Sequence, residues 1–402
     1  MRTILLLDID CFFASVEMAL HPELRGTPLC VGGHRGDRGI VACPNYEARA
    51  YGVKTAMPLR TAGRLLPSHA VFLPGNHRLY REYSKRVMTL LDAFTPDVEQ
   101  VSIDEAYLDV TGCLHLWNRD PLSMAAAIQE RIRHECGLTV SIGIASNKVC
   151  AKIAASLKKP NGLVMVPSGQ EKEFLAPLPV EVIPGVGRKT LPKLHAQGII
   201  TIADVLNRKM PAHSWIGYYL AAVACGNGER MVRGDHIEHS ISRDTTFSYD
   251  TRDPAFIVSM MYHLAEHCCA TLRGRALCAS TVTVKVRFTN FTTVQKQATL
   301  TVATANEEDI ATAAQHMLVA LLHAHQPVRL VGVKVSHLSP AEHAGSQMVL
   351  DITNREKLAV LHHRLDALRE KYGDTTIWWG ITTPVQRMRR DRAAHIGQER
   401  LR

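Results

Sequence analysis

Two acidic segments, about a hundred residues apart, carry the residue types in this chain that could do chemistry. The first is an apolar run over residues 3–9 with Asp8 near its end, which predicts a buried central strand that delivers a carboxylate to the rim of a sheet. The second is Ser102-Ile103-Asp104-Glu105, whose alternation predicts a strand with Ser102 and Asp104 on one face. Adjacent acids repel one another unless a cation compensates their charge. The two segments together predict a split carboxylate site for divalent cations.

Two oxygen-ligated metal ions about 3.5–4 Å apart suit an in-line displacement at phosphorus, because one activates the attacking hydroxyl and the other stabilises the leaving oxygen. Carboxylates select hard ions, so we expect two Mg²⁺ ions, with Mn²⁺ as a substitute. The predicted reaction class is phosphoryl or nucleotidyl transfer, which leaves polymerase, nuclease and cyclase open. A simpler alternative for the first segment is a strand-to-helix turn in which Asp10 caps the helix.

The composition is that of a basic globular protein. Its 402 residues are enough for two to four domains, and 47 basic against 38 acidic residues give a formal charge of +9. Such a balance is typical of nucleic-acid binders, although it also serves solubility. Ten cysteines without a C-x-x-C pair indicate reduced thiols. Without a signal-peptide pattern or a membrane-length apolar run, we expect a cytoplasmic monomer with no membrane segment.

The periodicity of residues 1–166 predicts an α+β core in which strands and helices alternate. The predicted strands are 3–9, 28–32, 39–43, 98–101, 106–110, 139–145 and 163–166. The predicted helices are 10–20, 45–51, 58–66, 77–93, 122–135 and 147–157.

Residues 167–233 predict short helices without a strong strand. Within them, Ile183-Pro184-Gly185-Val186-Gly187 is typical of a hairpin between two helices, whose backbone N–H groups suit a phosphate oxygen. A tight turn in which Gly185 and Gly187 merely fit is the alternative.

Beyond a polar linker, the chain predicts the order βαββαβ, a small sheet with two helices on one face. Alternation leaves Lys285 and Arg287 opposite Val284 and Val286, so this sheet presents a basic face that could follow a DNA backbone, or one that is simply solvated. A last helix, 356–372, ends at Gly373 as a C-cap would.

Four separated motifs resemble the Y-family translesion DNA polymerases, most closely the bacterial DNA polymerase IV type. They are LDIDCFFASVE at 7–17, NYEARAYGV at 45–53, SIDEAYLD at 102–109, and SNK at 146–148 followed by KPNG at 159–162. The resemblance runs in the family's order from residue 3 to about residue 340.

The resemblance implies a right-hand polymerase with a palm, fingers, a helix-hairpin-helix thumb and a βαββαβ little finger. The expected boundaries are 1–10 and 76–166 for the palm, 11–75 for the fingers, 167–233 for the thumb, 234–243 for a linker, 244–340 for the little finger, and 341–402 for a C-terminal helix and basic tail.

The same resemblance assigns roles to the residues of the motifs. Asp8 and Asp104 would bridge the metals with help from the Ile9 carbonyl, and Glu105 would hold the metal that activates the primer 3′-hydroxyl. The phenol of Tyr46 and the guanidinium of Arg49 lie three residues apart on a helix and would grip a triphosphate.

Lys159 would be the third ligand of that triphosphate, as a second cation beside Arg49. Phe13 would lie beneath the deoxyribose and exclude a 2′-hydroxyl by overlap, unless its ring belongs to the helix core. Ile40 and Ala42 would form a slim roof over the nascent base pair, which in this family accompanies lesion tolerance and low fidelity.

Two segments depart from the family or leave a role open. The entry to the last sheet, HSISRDTTF at 239–247, keeps a strand but changes the residues that would face phosphate. Gln347 to Ile352 is a weak candidate for a sliding-clamp peptide, or a buried edge strand. Trp378-Trp379 could be an exposed contact or helix packing, and the Arg-rich tail after Pro384 is expected to be mobile.

The function this implies is template-directed extension of a primer with dNTPs on primer-template DNA, without proofreading, in DNA damage tolerance. A nucleotidyl cyclase on a similar palm would need neither the hairpin nor the basic sheet. A catalytically silent repair scaffold that binds primer-template DNA and a sliding clamp would not need to keep Asp8, Asp104 and Glu105.

Overall fold

The computed structural model describes residues 2–207, 215–234, 238–322, 326–343, 352–373 and 376–385. The chain divides into two compact units, one ending at His236 and the other beginning at Ile237.

The first unit combines eight strands with ten α-helices in the part of it that is described. Its strands are β1 (Ile4–Ile9), β2 (Leu29–Val31), β3 (Cys43–Pro44), β4 (Val71–Leu73), β5 (Val98–Gln100), β6 (Glu105–Asp109), β7 (Val140–Ala145) and β8 (Leu163–Met165). Its helices are α1 (Phe12–Leu20), α2 (Tyr46–Ala50), α3 (Leu59–Leu65), α4 (His77–Leu91), α5 (Pro121–Cys136), α6 (Lys148–Leu157), α7 (Glu171–Leu175), α8 (Leu191–Ala196), α9 (Ile202–Asn207) and α10 (Trp215–Ala224).

A five-stranded sheet with the order β5-β6-β1-β7-β8 forms the centre of this unit. Strand β1 is the middle strand and pairs antiparallel with both β6 and β7. Its apolar side chains are fully buried on both faces, as the uninterrupted run Ile4 to Leu7 predicts. The register places Asp8 directly opposite Glu105, so the sheet itself brings the two acidic segments together.

Helix boundaries follow from capping residues that the sequence already displays. Helix α5 begins after Asp120, whose carboxylate accepts the N–H groups of Leu122 and Ser123, and ends at Gly137 with φ +68°. Asn76 caps α4 in the same way, by accepting the Leu79 N–H. The observed helices therefore match the predicted ones to within a few residues.

Two strand predictions in this unit are wrong, and one strand was not predicted. The segment 102–105, predicted as a strand, is a tight turn up to Asp104, and Glu105 begins β6; the N–H groups of Val101 and Ser102 are donated to the Glu105 carbonyl. The predicted strand 39–43 reduces to β3, preceded by an isolated bridge at Ile40. Strand β4, which pairs parallel with β2, escaped prediction because three residues are too few to show a period.

A smaller sheet of order β3-β2-β4 packs with α2 and α3 around a separate apolar core. Asn45 is fully buried between them, and its side-chain oxygen accepts the N–H groups of Leu29 and Ala48. This amide fixes the start of α2 against β2.

Residues 167–207 and 215–233 contain short helices joined by turns and loops, with one isolated β-bridge between Pro179 and Thr201, which agrees with the predicted lack of a strong strand. Gly185 has φ +92°, in the left-handed region that a side chain would disfavour. The hairpin at 183–187 precedes α8, and the Tyr219 hydroxyl of α10 donates to the Pro184 carbonyl at 2.9 Å.

The second unit has the predicted order βαββαβ followed by one further α-helix. Its elements are β9 (Ser240–Thr251), α11 (Pro254–Gly274), β10 (Leu277–Phe288), β11 (Thr293–Thr304), α12 (Glu307–Leu321), β12 (Val328–Pro340) and α13 (Ile352–Tyr372). The sheet order is β11-β10-β12-β9. Strand β9 begins at Ser240, inside the expected linker 234–243. Gly373 follows α13 with φ +95° and donates to the Arg369 carbonyl, as a C-cap does.

A buried ionic network attaches α13 to the rest of this unit. Arg273 of α11 donates to both oxygens of Asp366 at 2.7 and 2.9 Å and to Glu307 at 2.8 Å. Trp379 donates its indole N–H to the second oxygen of Glu307 at 2.6 Å, and Trp378 donates to Thr383. The tryptophan pair therefore contributes to packing within this unit.

All ten cysteines are free thiols, and most of them are buried. Across the described part of the chain, no helix has both the length and the apolarity that crossing a bilayer requires.

The close approach of β7 and α6 generates a stability prediction. A Cβ atom at Gly143 would lie 2.0 Å from the Ala151 carbonyl oxygen and 2.4 Å from the Ala155 nitrogen, both backbone atoms. Gly143→Ala should therefore destabilise the first unit by about 3 kcal/mol, because helix and strand must separate. Calorimetry of the melting transition measures this. Gly112→Ala, at a position with open space, is the control and should stay within about 0.5 kcal/mol of wild type.

Candidate active site

The predicted catalytic acids lie at one end of the five-stranded sheet. Asp8 of β1 and Glu105 of β6 are cross-strand partners, and the Asp104 carbonyl accepts the Ile9 N–H at 2.9 Å. Three carboxylates and the backbone of Ile9 are thereby gathered where β1 ends and β6 begins.

The turn before Glu105 is organised by Ser102. Its hydroxyl donates to Asp104 Oδ1 at 2.5 Å and accepts the N–H groups of Asp104 and Glu105 at 3.3 and 3.0 Å. This serine fixes the Asp104 carboxylate and the backbone of both acids, which gives the S-x-D-E spacing a local physical reason.

Two lysines form ion pairs with Asp8 and Glu105. Lys159 forms an ion pair with Asp8, and Lys152 Nζ lies 2.8 and 2.6 Å from the two oxygens of Glu105. Burial raises the pKa of Asp8 to about 6; Lys159 lowers it, and the charges of Glu105 and Asp104 raise it further. The three carboxylates therefore repel one another, and a bound cation would reduce this repulsion.

The donor set suits a hard divalent cation. All the side-chain donors are carboxylate oxygens at one sheet end, and two of them already hold cationic groups. Within the described residues, no three His, Cys, Asp or Glu side chains yet converge closely enough to share a metal ion. The geometry explains this, because Asp8, Asp104 and Glu105 each face a different partner.

Asp10 is a site residue that sequence reasoning missed. Its side chain is fully buried; Oδ1 accepts the Ser141 hydroxyl at 2.8 Å and faces the Tyr46 hydroxyl at 3.4 Å, while Oδ2 accepts the Asn161 N–H at 2.7 Å. The proposed capping role is wrong: the N-cap of α1 is Cys11, and no side chain caps that helix. The sequence did offer a signal for Asp10: it is a second acid, two residues after Asp8, at the end of a strand that is predicted to be buried.

Tyr46 and Arg49 share one face of α2, as the spacing predicts. The Arg49 guanidinium lies over the Tyr46 ring at 4.9 Å from its centroid and donates Nε to the Pro44 carbonyl at 3.1 Å. Burial and the nearby Asp10 raise the pKa of the Tyr46 phenol, which keeps it a neutral donor.

Lys159 is connected to these residues through Asp10. Asn161, two residues further on, donates to the same carboxylate that Tyr46 faces. Of the three predicted triphosphate ligands, Tyr46 therefore contacts Asp10 directly. Arg49 lies over the Tyr46 ring, and Lys159 pairs with Asp8 two residues before Asn161.

Phe13 belongs to an aromatic cluster beside the acids. Its ring stacks on Tyr80 with centroids 4.3 Å apart and 15° between planes, and His77 approaches its edge at 5.7 Å. The Tyr80 hydroxyl donates to buried Glu17 at 2.6 Å, while Phe12 points into the core. Phe13 is only partly buried, so one part of its ring remains accessible.

Ile40 and Ala42 flank the smaller sheet of the first unit, and Lys285 and Arg287 belong to the second unit. Ile40 is 54% exposed and Ala42 is half-buried. Lys285 and Arg287 lie on the open face of β10, where Lys285 pairs with Asp244 at 2.6 Å and Arg287 donates to Thr293 at 2.8 Å.

Comparison with known families matches most of the chain. The impB/mucB/samB family model matches residues 7–156, the IMS family HHH motif matches 168–199, and the impB/mucB/samB family C-terminal domain matches 238–349.

Curated and solved relatives agree with these models. DNA polymerase IV of Dehalococcoides mccartyi (strain CBDB1) is 41% identical over 395 residues, which cover 96% of this chain and 99% of the relative. The solved "Y-family DNA polymerase chimera Dbh-Dpo4(243-245)-Dbh" is 29% identical, covers 83% of this chain and 98% of its own, and superposes with a TM-score of 0.74. The "Crystal Structure of DinB from Sulfolobus solfataricus" is 30% identical over the same shares, with a TM-score of 0.58.

The contacts of Asp10 generate a kinetic prediction. Asp10→Ala removes the acceptor that orients Tyr46 and the loop carrying Lys159, so we expect the KM for nucleotide to rise about tenfold through lost charge-assisted hydrogen bonds. Steady-state kinetics measure this. Asp10→Asn keeps an acceptor for the Asn161 N–H, so its KM for nucleotide should rise less than that of Asp10→Ala. A wild-type KM in Asp10→Ala would contradict the role.

Proposed function

The chain belongs to the impB/mucB/samB family of Y-family DNA polymerases, and we propose that it catalyses nucleotidyl transfer at Asp8, Asp104 and Glu105. Its activity is DNA-directed DNA synthesis of the translesion type. One observation carries the assignment of the site: the register that sets Asp8 opposite Glu105, with Asp104 adjacent, at the end of a central buried strand.

Enzymes of this family use divalent metal ions, and we propose two Mg²⁺ ions here, with Mn²⁺ as a substitute. Asp8 and Asp104 would hold both, the Ile9 carbonyl would add an oxygen, and Glu105 would hold one. Bound there, the ions would acidify the primer 3′-hydroxyl and offset charge on the leaving group. The chain's own contribution is to fix the carboxylates through the β1–β6 register and the Ser102 turn.

The triphosphate would be held by Tyr46, Arg49 and Lys159. Tyr46 offers a neutral hydroxyl and Arg49 a fork of donors on the same helix face. Lys159 would exchange its ion pair with Asp8 for a phosphate oxygen. The shared anchor at Asp10 supports this grouping, because it sets the spacing between α2 and the lysine loop.

Phe13, whose ring stacks on Tyr80, would select deoxyribose over ribose. A ring fixed by stacking cannot yield to a 2′-hydroxyl without breaking that contact. Ile40, which is largely exposed, and Ala42 would leave the base pair loosely covered, which supports tolerance of lesions.

The DNA backbone would be contacted at two places. One is the hairpin with Gly185 and Gly187, and the other is the open face of β10 with Lys285 and Arg287. Asp244, in the altered entry strand, holds Lys285 in an ion pair that phosphate must replace. This competition supports modest DNA affinity.

The expected domain boundaries remain proposals: palm 1–10 and 76–166, fingers 11–75, thumb 167–233 and little finger 244–340. The clamp segment from Gln347 lies outside the described residues except for Ile352, which opens α13, and the Arg-rich tail also lies outside them. A monomer acting in the cytoplasm completes the proposal. The silent-scaffold alternative is not favoured, because the full-length relative is a DNA polymerase.

Primer extension tests the catalytic site. Asp104→Asn should lower kcat by at least about a thousandfold, since one metal-bridging charge is lost while the turn survives. Asp109→Asn, at the opposite end of β6, is a matched control and should extend primers normally. Full activity in Asp104→Asn would overturn the assignment.

Ribonucleotide use tests Phe13. Phe13→Ala should raise rNTP incorporation relative to dNTP about a hundredfold, because the overlap with a 2′-hydroxyl disappears. Single-nucleotide insertion kinetics give the ratio. Phe13→Tyr keeps the ring and should keep the selectivity; an unchanged ratio in Phe13→Ala would place the ring in the core instead.

A further inference from the structure

Lys152 lies against the proposed metal site without a role in the proposed function. It projects from α6, and its ammonium is within hydrogen-bond distance of both oxygens of Glu105, at 2.8 and 2.6 Å. The two side chains are 34% and 19% exposed, so the ion pair is shielded from water more than a surface pair is.

The bidentate contact occupies the oxygens that a metal would need. An ammonium placed between both oxygens fills the bidentate position of the carboxylate, so a divalent cation that takes this position must displace it, and one that binds a single oxygen must do so against its positive charge. Lys159 likewise places a positive charge on Asp8, through one carboxylate oxygen. Cation binding at this sheet end is therefore an exchange of one positive group for another.

We propose that Lys152 is a positioning residue that holds Glu105 before metal binds and is displaced when Glu105 becomes a metal ligand. This inference rests on the proposed function. The ammonium compensates the repulsion among three clustered acids and so preserves the β1–β6 strand end in the metal-free protein. It also weakens metal binding, because each incoming cation must compete with it.

Lys148 shows what a purely structural pair on the same helix looks like. One turn earlier on α6, its ammonium lies 2.5 Å from Glu99 Oε2. That oxygen also accepts the Arg233 N–H at 2.7 Å, so Glu99 serves to attach chain segments. Lys148 is therefore a matched control, with the same residue type, helix and kind of partner.

Direct Mn²⁺ binding tests the proposal without catalysis. Free Mn²⁺ would be measured by electron paramagnetic resonance with the full chain, in the absence of DNA and nucleotide. Lys152→Gln should bind Mn²⁺ about fivefold or more tightly than wild type, because no ammonium has to be displaced. Lys152→Arg, which keeps a cation, and Lys148→Gln should both resemble wild type.

A second readout guards against loss of folding. Thermal melting should show Lys152→Gln less stable than wild type without metal but stabilised more by added Mn²⁺. If Lys152→Gln does not fold, Lys152→Met keeps the aliphatic stem and takes its place. Wild-type or weaker Mn²⁺ affinity in the folded variant overturns the proposal.

Glu105→Gln separates this inference from the proposed function. Loss of Mn²⁺ binding in Glu105→Gln with unchanged affinity in Lys152→Gln refutes only the role of Lys152. Undiminished Mn²⁺ binding in Glu105→Gln refutes Glu105 as a metal ligand, and the inference with it; undiminished binding in Asp104→Asn as well refutes the metal site itself.

Discussion

The structure depends on a buried charge that has no proposed catalytic role. The carboxylate of Asp10 is fully buried and joins β1 to β7 through Ser141, to α2 through Tyr46, and to the loop after α6 through Asn161. A buried carboxylate is costly unless its oxygens are satisfied, so each of these elements is held where it can supply a donor. This constraint sets the spacing between the end of β1 that carries Asp8 and the helix α2 that carries Tyr46.

A second constraint is the crowding of acids at the end of β1. Sheet register brings Asp8 and Glu105 together whatever the occupancy of the site, and Asp104 is covalently adjacent. The fold answers their repulsion with Lys152, Lys159 and the Ser102 hydroxyl. Positive side chains thus perform for the metal-free protein part of the electrostatic work that metal ions perform during catalysis.

Local patterns made much of the fold predictable from the sequence. The buried run of β1, the helices predicted at 77–93 and 122–135, and the βαββαβ order all follow from periodicity. The turn at Ser102 did not, because apolar–polar alternation looks the same in a strand and in a short hairpin turn. The partners of Asp10 are up to 151 residues away, and the pair of Lys152 with Glu105 spans 47 residues; no local pattern encodes such contacts.

The missing side chain at Gly143 has a consequence for how natural variants of this enzyme would be interpreted. Helix α6 lies against β7 at backbone distance, and the two atoms nearest Gly143 belong to Ala151 and Ala155, on either side of Lys152. A larger residue at this position would push α6 away from β7 and so shift Lys152 relative to Glu105. Under the proposed role of Lys152, such a variant would change its metal dependence, although the substitution touches no carboxylate.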